Sequence, residues 1–200
     1  MTKQRRYRMT GRAKTQDATR RKIIDATMRL HEEVGPRATT VTAIASKAGV
    51  QRLTVYRHFP DEKKLFEACT SRWLELNPPP QPEVWASVAT PSQRAETALT
   101  AFFRYYSSTQ RMWRSSHRDV ANVPALAKRM AEFSASVASV ASALARAIPV
   151  EDGGASRLVA ATLQHALTFA TWEDLERQGL EDSSKVQLAM RWIEGCANLS

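Results

Sequence analysis

The stretch from Thr39 to Lys64, TTVTAIASKAGVQRLTVYRHFPDEKK, constrains the fold more than any other part of the chain. Thr40 stands where an N-cap hydroxyl takes an orphan backbone N–H, ahead of a helix over Val41 to Ala48. Gly49 follows, and glycine enters the left-handed conformation that ends a helix without a Cβ penalty. A second helix runs from about Arg52 to Phe59, where Pro60 stops it. Ile44, Ala45, Val50, Val55 and Phe59 then close one small apolar cluster. Gln51, Arg52, Leu53, Thr54, Tyr56, Arg57 and His58 are left facing outward. A short rigid helix with two arginines, a histidine, a tyrosine and a threonine offers donors to phosphates and base edges in a DNA major groove.

Charge points the same way. The net charge of +9 is confined to one end of the chain. Residues 1–76 carry 17 Lys+Arg against 8 Asp+Glu, whereas residues 77–200 carry 12 of each. A polyanion partner for the N-terminal third accounts for this split better than general solubility does. Packaging of nucleic acid along the whole chain would need basic charge throughout, and the neutral remainder disagrees. Residues 1–16 hold Lys3, Arg5, Arg6, Arg8, Arg12 and Lys14 without an acid. They read as a disordered basic arm: either a solvated tail or a segment that follows phosphates or enters a minor groove.

Helical spacing organises the rest. Asp17 is placed to cap a first helix to Val34 carrying Ile23, Ile24, Thr27, Leu30 and His31 inward, with Gly35 and Pro36 ending it. His31 then reads as a core histidine with a hydrogen-bond partner. Asp61 caps a further helix to Leu76, with Lys63 and Lys64 in its first turn, where a nearby phosphate would offset their clash with the helix dipole. Residues 17–76 thus form a three-helix helix-turn-helix domain with its supporting helix. NPPPQPEV, residues 77–84, is a stiff extended connector, because successive prolines cannot sit in a helix.

Residues 85–200 read as a second, wholly helical domain, so the fold class is all-α. Its expected helices start at Pro91, Arg111 and Pro124. The last two, Ser156–Arg177 and Ser183–Cys196, are apolar on more than one side. A helix without a broad polar face needs cover on two sides, so these two helices are expected to pair with those of a second copy. Phe102, Tyr106, Trp113, His117, His165 and Phe169 lie mid-helix on apolar faces. Aromatic walls with a few polar tips suit a small-molecule pocket between helices.

Other function classes find little support. There is no glycine-rich phosphate loop, no CxxC pair and no HExxH, so neither a catalytic site, a metal site nor a cofactor is expected. Cys69 and Cys196 read as reduced thiols. No run of eighteen apolar residues predicts a membrane span, and the basic N-terminus lacks the apolar segment of a secretory signal. A cytoplasmic protein is expected.

Taken in one register, Ile23-Ile24, Ala26, Leu30, Gly35, Thr39-Thr40-Val41, Ile44-Ala45, Ala48-Gly49-Val50, Val55-Tyr56, His58-Phe59 and Leu65-Phe66 resemble the TetR family of bacterial regulators. The resemblance covers about residues 19–66. It implies a nine-helix plan with a C-terminal ligand-binding and dimerisation domain. It implies that Thr40 and Tyr56 hold phosphates. Thr54 and Arg57, with Arg52 and Leu53 beside them, would face base edges, and His58 would lie at the DNA backbone. Gln51 stands where relatives often carry a small hydroxyl residue, and Glu62 where many carry a lysine, so Lys63 or Lys64 would supply that phosphate contact. His31 stands where an aromatic is common. The function so implied is a homodimeric repressor that leaves its DNA operator when a small hydrophobic or aromatic effector binds.

Overall fold

The structure, a computed structural model, describes residues 3–150 and 153–198, with side chains described over 14–150 and 154–198. Among the described residues there are ten α-helices, one short 3₁₀ turn and no strand. The chain divides into two compact units. One comprises residues 1–77 and 114–126, and the other residues 78–113 and 127–200. The division at Asn77/Pro78 falls at the proline stretch. The return of residues 114–126 to the first unit is not visible in composition.

The first unit is built on α1 (Lys3–Glu33), α2 (Val41–Ala48), α3 (Arg52–His58) and α4 (Glu62–Leu76). α1 packs on α2 and on α4, and α2 packs on α3. Ile23, Ile24 and Leu30 of α1 meet Ile44 and Ala45 of α2, Val55 and Phe59 of the α3 region and Leu65 of α4 in one buried core. Val50 packs against this core from the turn. The helix ends are chemically specified. Thr40 Oγ1 accepts the N–H of Ala43 at 3.2 Å, and Asp61 Oδ1 accepts that of Lys64 at 2.7 Å. Gly49 takes φ 67°, ψ 38°, the left-handed cap.

α1 starts at Lys3, so the backbone of residues 3–16 continues the helix and Asp17 is not its cap. Ala13, Lys14 and Gln16 are good helix formers, and the Thr19 hydroxyl bonds back to Thr15 O at 2.9 Å. The backbone of residues 3–16 is thus helical here, where the sequence suggested a disordered basic arm. The side chains of residues 1–13, including Arg5, Arg6 and Arg8, lie outside the described ones.

The second unit contains α5 (Glu83–Ala86), most of α6 (Pro91–Asp119), most of α7 (Pro124–Ala147), α8 (Gly153–Ala166), α9 (Phe169–Arg177) and α10 (Asp182–Ala197). α8 packs on α10 and meets α9. Leu99, Phe103, Val159, Leu163, Leu167 and Trp172 are fully buried. Tyr106 donates its hydroxyl to Leu167 O at 2.9 Å.

Two helix boundaries differ from the sequence expectation. α6 is one helix of 29 residues rather than two. The polar run Ser107-Ser108-Thr109-Gln110, which suggests a break, bonds back to its own turn instead: Ser108 and Thr109 donate to Tyr105 O, and Gln110 to Ser107 O. In the other direction, the helix expected over Ser156–Arg177 is broken. Thr168 is extended and caps α9 by accepting the N–H of Thr171 at 3.3 Å.

Candidate nucleic-acid interface

α3 has seven residues, and its orientation is set by Val55 and Phe59, which are 1 % and 3 % exposed. With these two turned inward, Arg52, Leu53, Tyr56 and Arg57 face solvent, and Thr54 and His58 lie half-buried at the flanks. Leu53 and Tyr56 are 56 % and 44 % exposed, although large apolar groups normally seek cover. The face combines two guanidinium groups, a phenol and an apolar side chain, with no acid over residues 51–59. Gln51 occupies the N-cap position but its side chain makes no cap bond, which leaves the amide turned to solvent. The guanidinium of Arg20 lies 4.9 Å from the centre of the Phe59 ring, so a cation–π contact ties α1 to the end of α3.

Around α3 stand the phosphate candidates. Thr40 is exposed at the start of α2, and its oxygen serves the Ala43 N–H while its own O–H remains a donor. Lys63 and Lys64 are exposed in the first turn of α4, with Lys64 Nζ 3.7 Å from Asp61. Lys47 is engaged with Glu33 at 2.6 Å. All ten residues expected at a DNA surface belong to this one unit.

Sequence reasoning missed the groups that hold this surface from behind. Arg118 and Asp119, at the end of α6, belong to the same unit. Asp119 Oδ2 accepts the N–H of Arg37 at 3.0 Å, and its other oxygen takes Arg118 Nε at 3.0 Å. Arg118 Nη2 donates to Val34 O at 2.8 Å. Burial alone would raise the pKa of Asp119, but the Arg118 and Arg37 hydrogen bonds and charges together hold its carboxyl below the usual range. Between these partners lies Gly35 at φ 91°, the one conformation in the turn that demands glycine. No local pattern could have announced a pairing over more than eighty residues of chain.

The six residues expected to line an effector pocket do not all come together. Phe102, Tyr106, Trp113 and Phe169 are buried and share one ring cluster. Tyr106 and Phe169 lie 5.5 Å apart, Tyr106 and Trp113 5.5 Å, Trp113 and Phe169 5.6 Å, and Phe102 and Tyr106 6.1 Å. His165 is exposed, and His117 is exposed and belongs to the other unit. Both histidines fall at helical spacing from the apolar residues, but the helix rotations set by Leu163, Ala166, Ser116 and Asp119 turn them out. Among the described residues, no three His, Cys, Asp or Glu side chains gather as a metal site would require, and no helix is long and apolar enough to cross a membrane.

Residues 23–69 match the family model for bacterial regulatory proteins of the tetR family. That segment is of TetR type. A curated relative of the same kind, the HTH-type transcriptional regulator YvkB of Bacillus subtilis strain 168, is 43% identical over 54 residues. That alignment spans 27% of this chain and 29% of the relative, so the sequence likeness is one of the N-terminal TetR segment. Solved structures extend the fold likeness further. A TetR-like transcriptional regulator from Rhodococcus sp. RHA1 superposes with a TM-score of 0.66 at 17% identity, over 90% of this chain and 96% of that one. NalD, the secondary repressor of the MexAB-OprM multidrug efflux pump in Pseudomonas aeruginosa, gives 0.56 at 19% identity, over 91% and 95%. At such identities the likeness is one of fold.

Proposed function

We propose that this chain is a TetR-type, cytoplasmic, homodimeric, sequence-specific DNA-binding regulator that represses by occupying an operator. The observation that carries the reading is the division of α3 into a buried edge, Val55 and Phe59, and an acid-free exposed face, Arg52, Leu53, Tyr56 and Arg57. In a major groove, Arg57 and Thr54 read base edges with Arg52 and Leu53 beside them. Thr40, Tyr56, His58, Lys63 and Lys64 hold phosphates, and Gln51 stands at the edge of the surface. Two copies would set their α3 helices about 34–36 Å apart to meet successive grooves of a near-palindromic site. NalD, of similar fold, acts as a repressor, which supports that sign of regulation.

Dimerisation through α8 and α10 is supported by Leu158, 47 % exposed on α8, and by Leu188 and Trp192, half-buried on α10. Release by a small hydrophobic or aromatic effector in the second unit is supported by its concentration of Phe102, Tyr106, Trp113 and Phe169. The effector must bind the DNA-competent and released states unequally. A regulator without small-molecule input is the second reading, favoured by the close mutual packing of those same rings. No catalytic task falls to the chain in either reading.

The test is selection of bound duplexes from a random pool, followed by fluorescence anisotropy with the selected DNA. Arg57→Ala is expected to relax sequence preference, by about 1–3 kcal/mol where it reads a guanine. Tyr56→Phe weakens binding to all sequences alike. Unchanged affinity and preference in both variants would overturn the placement of α3.

A further inference from the structure

The first unit contains a cavity of about 270 Å³ that lies off the α3 surface and is separate from the aromatic cluster of the second unit. Ile44, Leu65, Phe66, Pro36 and Val123 supply apolar walls, and His31 is the buried polar wall, 7 % exposed. The volume is at the small end for a ligand site and suits a single ring with one short substituent.

Among the buried side chains that line the cavity, one is free to donate to an occupant. Thr27 and Thr39 also line it, but their hydroxyl protons go to Ile23 O and Gly35 O, each at 2.8 Å. Glu62 and Lys63 stand at the exposed mouth with opposite signs and leave no net charge there. His31 Nδ1 lies 3.6 Å from Cys69 Sγ. Burial pushes the Cys69 thiol up to about 12, with Glu32 and Asp25 adding to the effect. Burial also brings His31 down to about 4 against a weaker upward pull from Asp119. At neutral pH the pair is therefore a thiol and a neutral imidazole, and in the tautomer whose Nδ1 accepts from the S–H the ring proton resides on Nε2. Cys69 is not a wall of the cavity and His31 is. In that tautomer the Nε2–H is the donor this ring offers an occupant.

We propose that this cavity binds a small uncharged aromatic molecule bearing one hydrogen-bond acceptor, which the His31 Nε2–H holds while Phe66 and the aliphatic walls cover the ring. Opposite charges at the mouth disfavour an ion of either sign. The tilted contact of His31 with Phe66, 5.9 Å between centres, gives the aromatic ring a partner edge. The site does not rest on the DNA-binding reading, since it is a property of the first unit without DNA.

The experiment is a ¹⁹F NMR titration of 4-fluoroacetophenone with the full chain, and of 4-fluorotoluene, which lacks the acceptor. The ketone is expected to bind with a dissociation constant on the order of 1 mM, as its about ten non-hydrogen atoms allow. His31→Phe should weaken the ketone about tenfold and leave the toluene unchanged. Ala125→Phe, and independently Val123→Phe, place a ring in the cavity and should abolish binding of both probes while melting as wild type. Ketone binding that persists in either correctly folded filling variant, or that is absent from wild type, overturns the proposal. Loss of DNA binding in any assay bears on the function proposed above and leaves this titration unaffected.

Discussion

Asp119 Oδ2 accepts the backbone N–H of Arg37 at 3.0 Å, joining two residues 82 positions apart. The bond fixes the turn between α1 and α2 from the end of α6. That turn delivers Thr39 and Thr40 to the start of α2, so the position of the hydroxyl proposed to hold a phosphate depends on a carboxylate far away in sequence.

Removing that carboxylate should loosen the turn. Asp119→Ala leaves the Arg37 N–H without its acceptor in a part-buried setting and is expected to cost about 1–2 kcal/mol in urea unfolding. Gly35→Ala should cost a similar amount by a different route. Its φ of 91° is strained for any Cβ, and the added carbon would meet Arg118 Nη2 and Asp119 Oδ2. Melting temperatures of both variants equal to wild type would refute the clamp.

Acid should weaken the first unit through His31 before it reaches most carboxylates. The imidazole falls from 6.5 to about 4 on folding, so the unfolded chain binds the proton more readily. Stability from this group is whole above pH 6.5, declines as pH falls toward about 4, and amounts to about 3 kcal/mol. Asp119, held below its usual range, adds a loss at still lower pH. Unfolding followed over this window should flatten in His31→Phe. An equal slope in wild type and variant would argue against the neutral buried ring.

Lys185 is 1 % exposed, yet its ammonium pairs with Glu176 and with Asp182 at 2.6 Å and lies 5.1 Å from the Trp172 ring. Burial lowers the proton affinity of the amine, but hydrogen bonds to Asp182 and Glu176 raise it further, so the net shift is upward. Lys185→Ala leaves a hole beside Trp172 and is expected to cost about 2–4 kcal/mol. Lys185→Met keeps the volume, and both acids are more than a third exposed and can turn to water, so its loss should be clearly smaller. A methionine variant as unstable as the alanine one would show that charge, and not filling, dominates.

The α8–α10 face offers an independent test of the proposed homodimer. Leu158→Lys with Leu188→Lys is expected to move a sedimenting species of twice the 22.4 kDa chain to the chain mass itself. The selected operator should then be bound far more weakly, because each half-site would be held alone. Unaltered sedimentation would place the interface elsewhere.

Much of the first unit was legible from local chemistry. Thr40, Gly49, Pro60 and Asp61 punctuate the chain within four residues of the groups they serve, and Ile44, Val55 and Phe59 reveal their inward face by spacing alone. The outward-facing set of α3 follows from that face by elimination. The second unit was legible as helices but not as boundaries. Ser107–Gln110 and Thr168 use similar hydroxyl chemistry, yet one run continues a helix and the other residue caps a new one. His117 and His165 sit at plausible spacing within their helices, but a rotation of a few tens of degrees, set by neighbours from other helices, decides whether such a side chain is inside.

The sequence by itself determined the helices of the helix-turn-helix, their caps, the acid-free outer face of α3 and the confinement of positive charge to one end. These depend on contacts within a few residues, where backbone geometry dictates who meets whom. Only the tertiary structure decided that Asp119 clamps Arg37, that His31 meets Cys69 at a cavity wall, and that four aromatic residues close on one another while two histidines stay outside. Those outcomes depend on contacts between distant segments. They are selected by how whole helices pack, and no short stretch of chain contains the information.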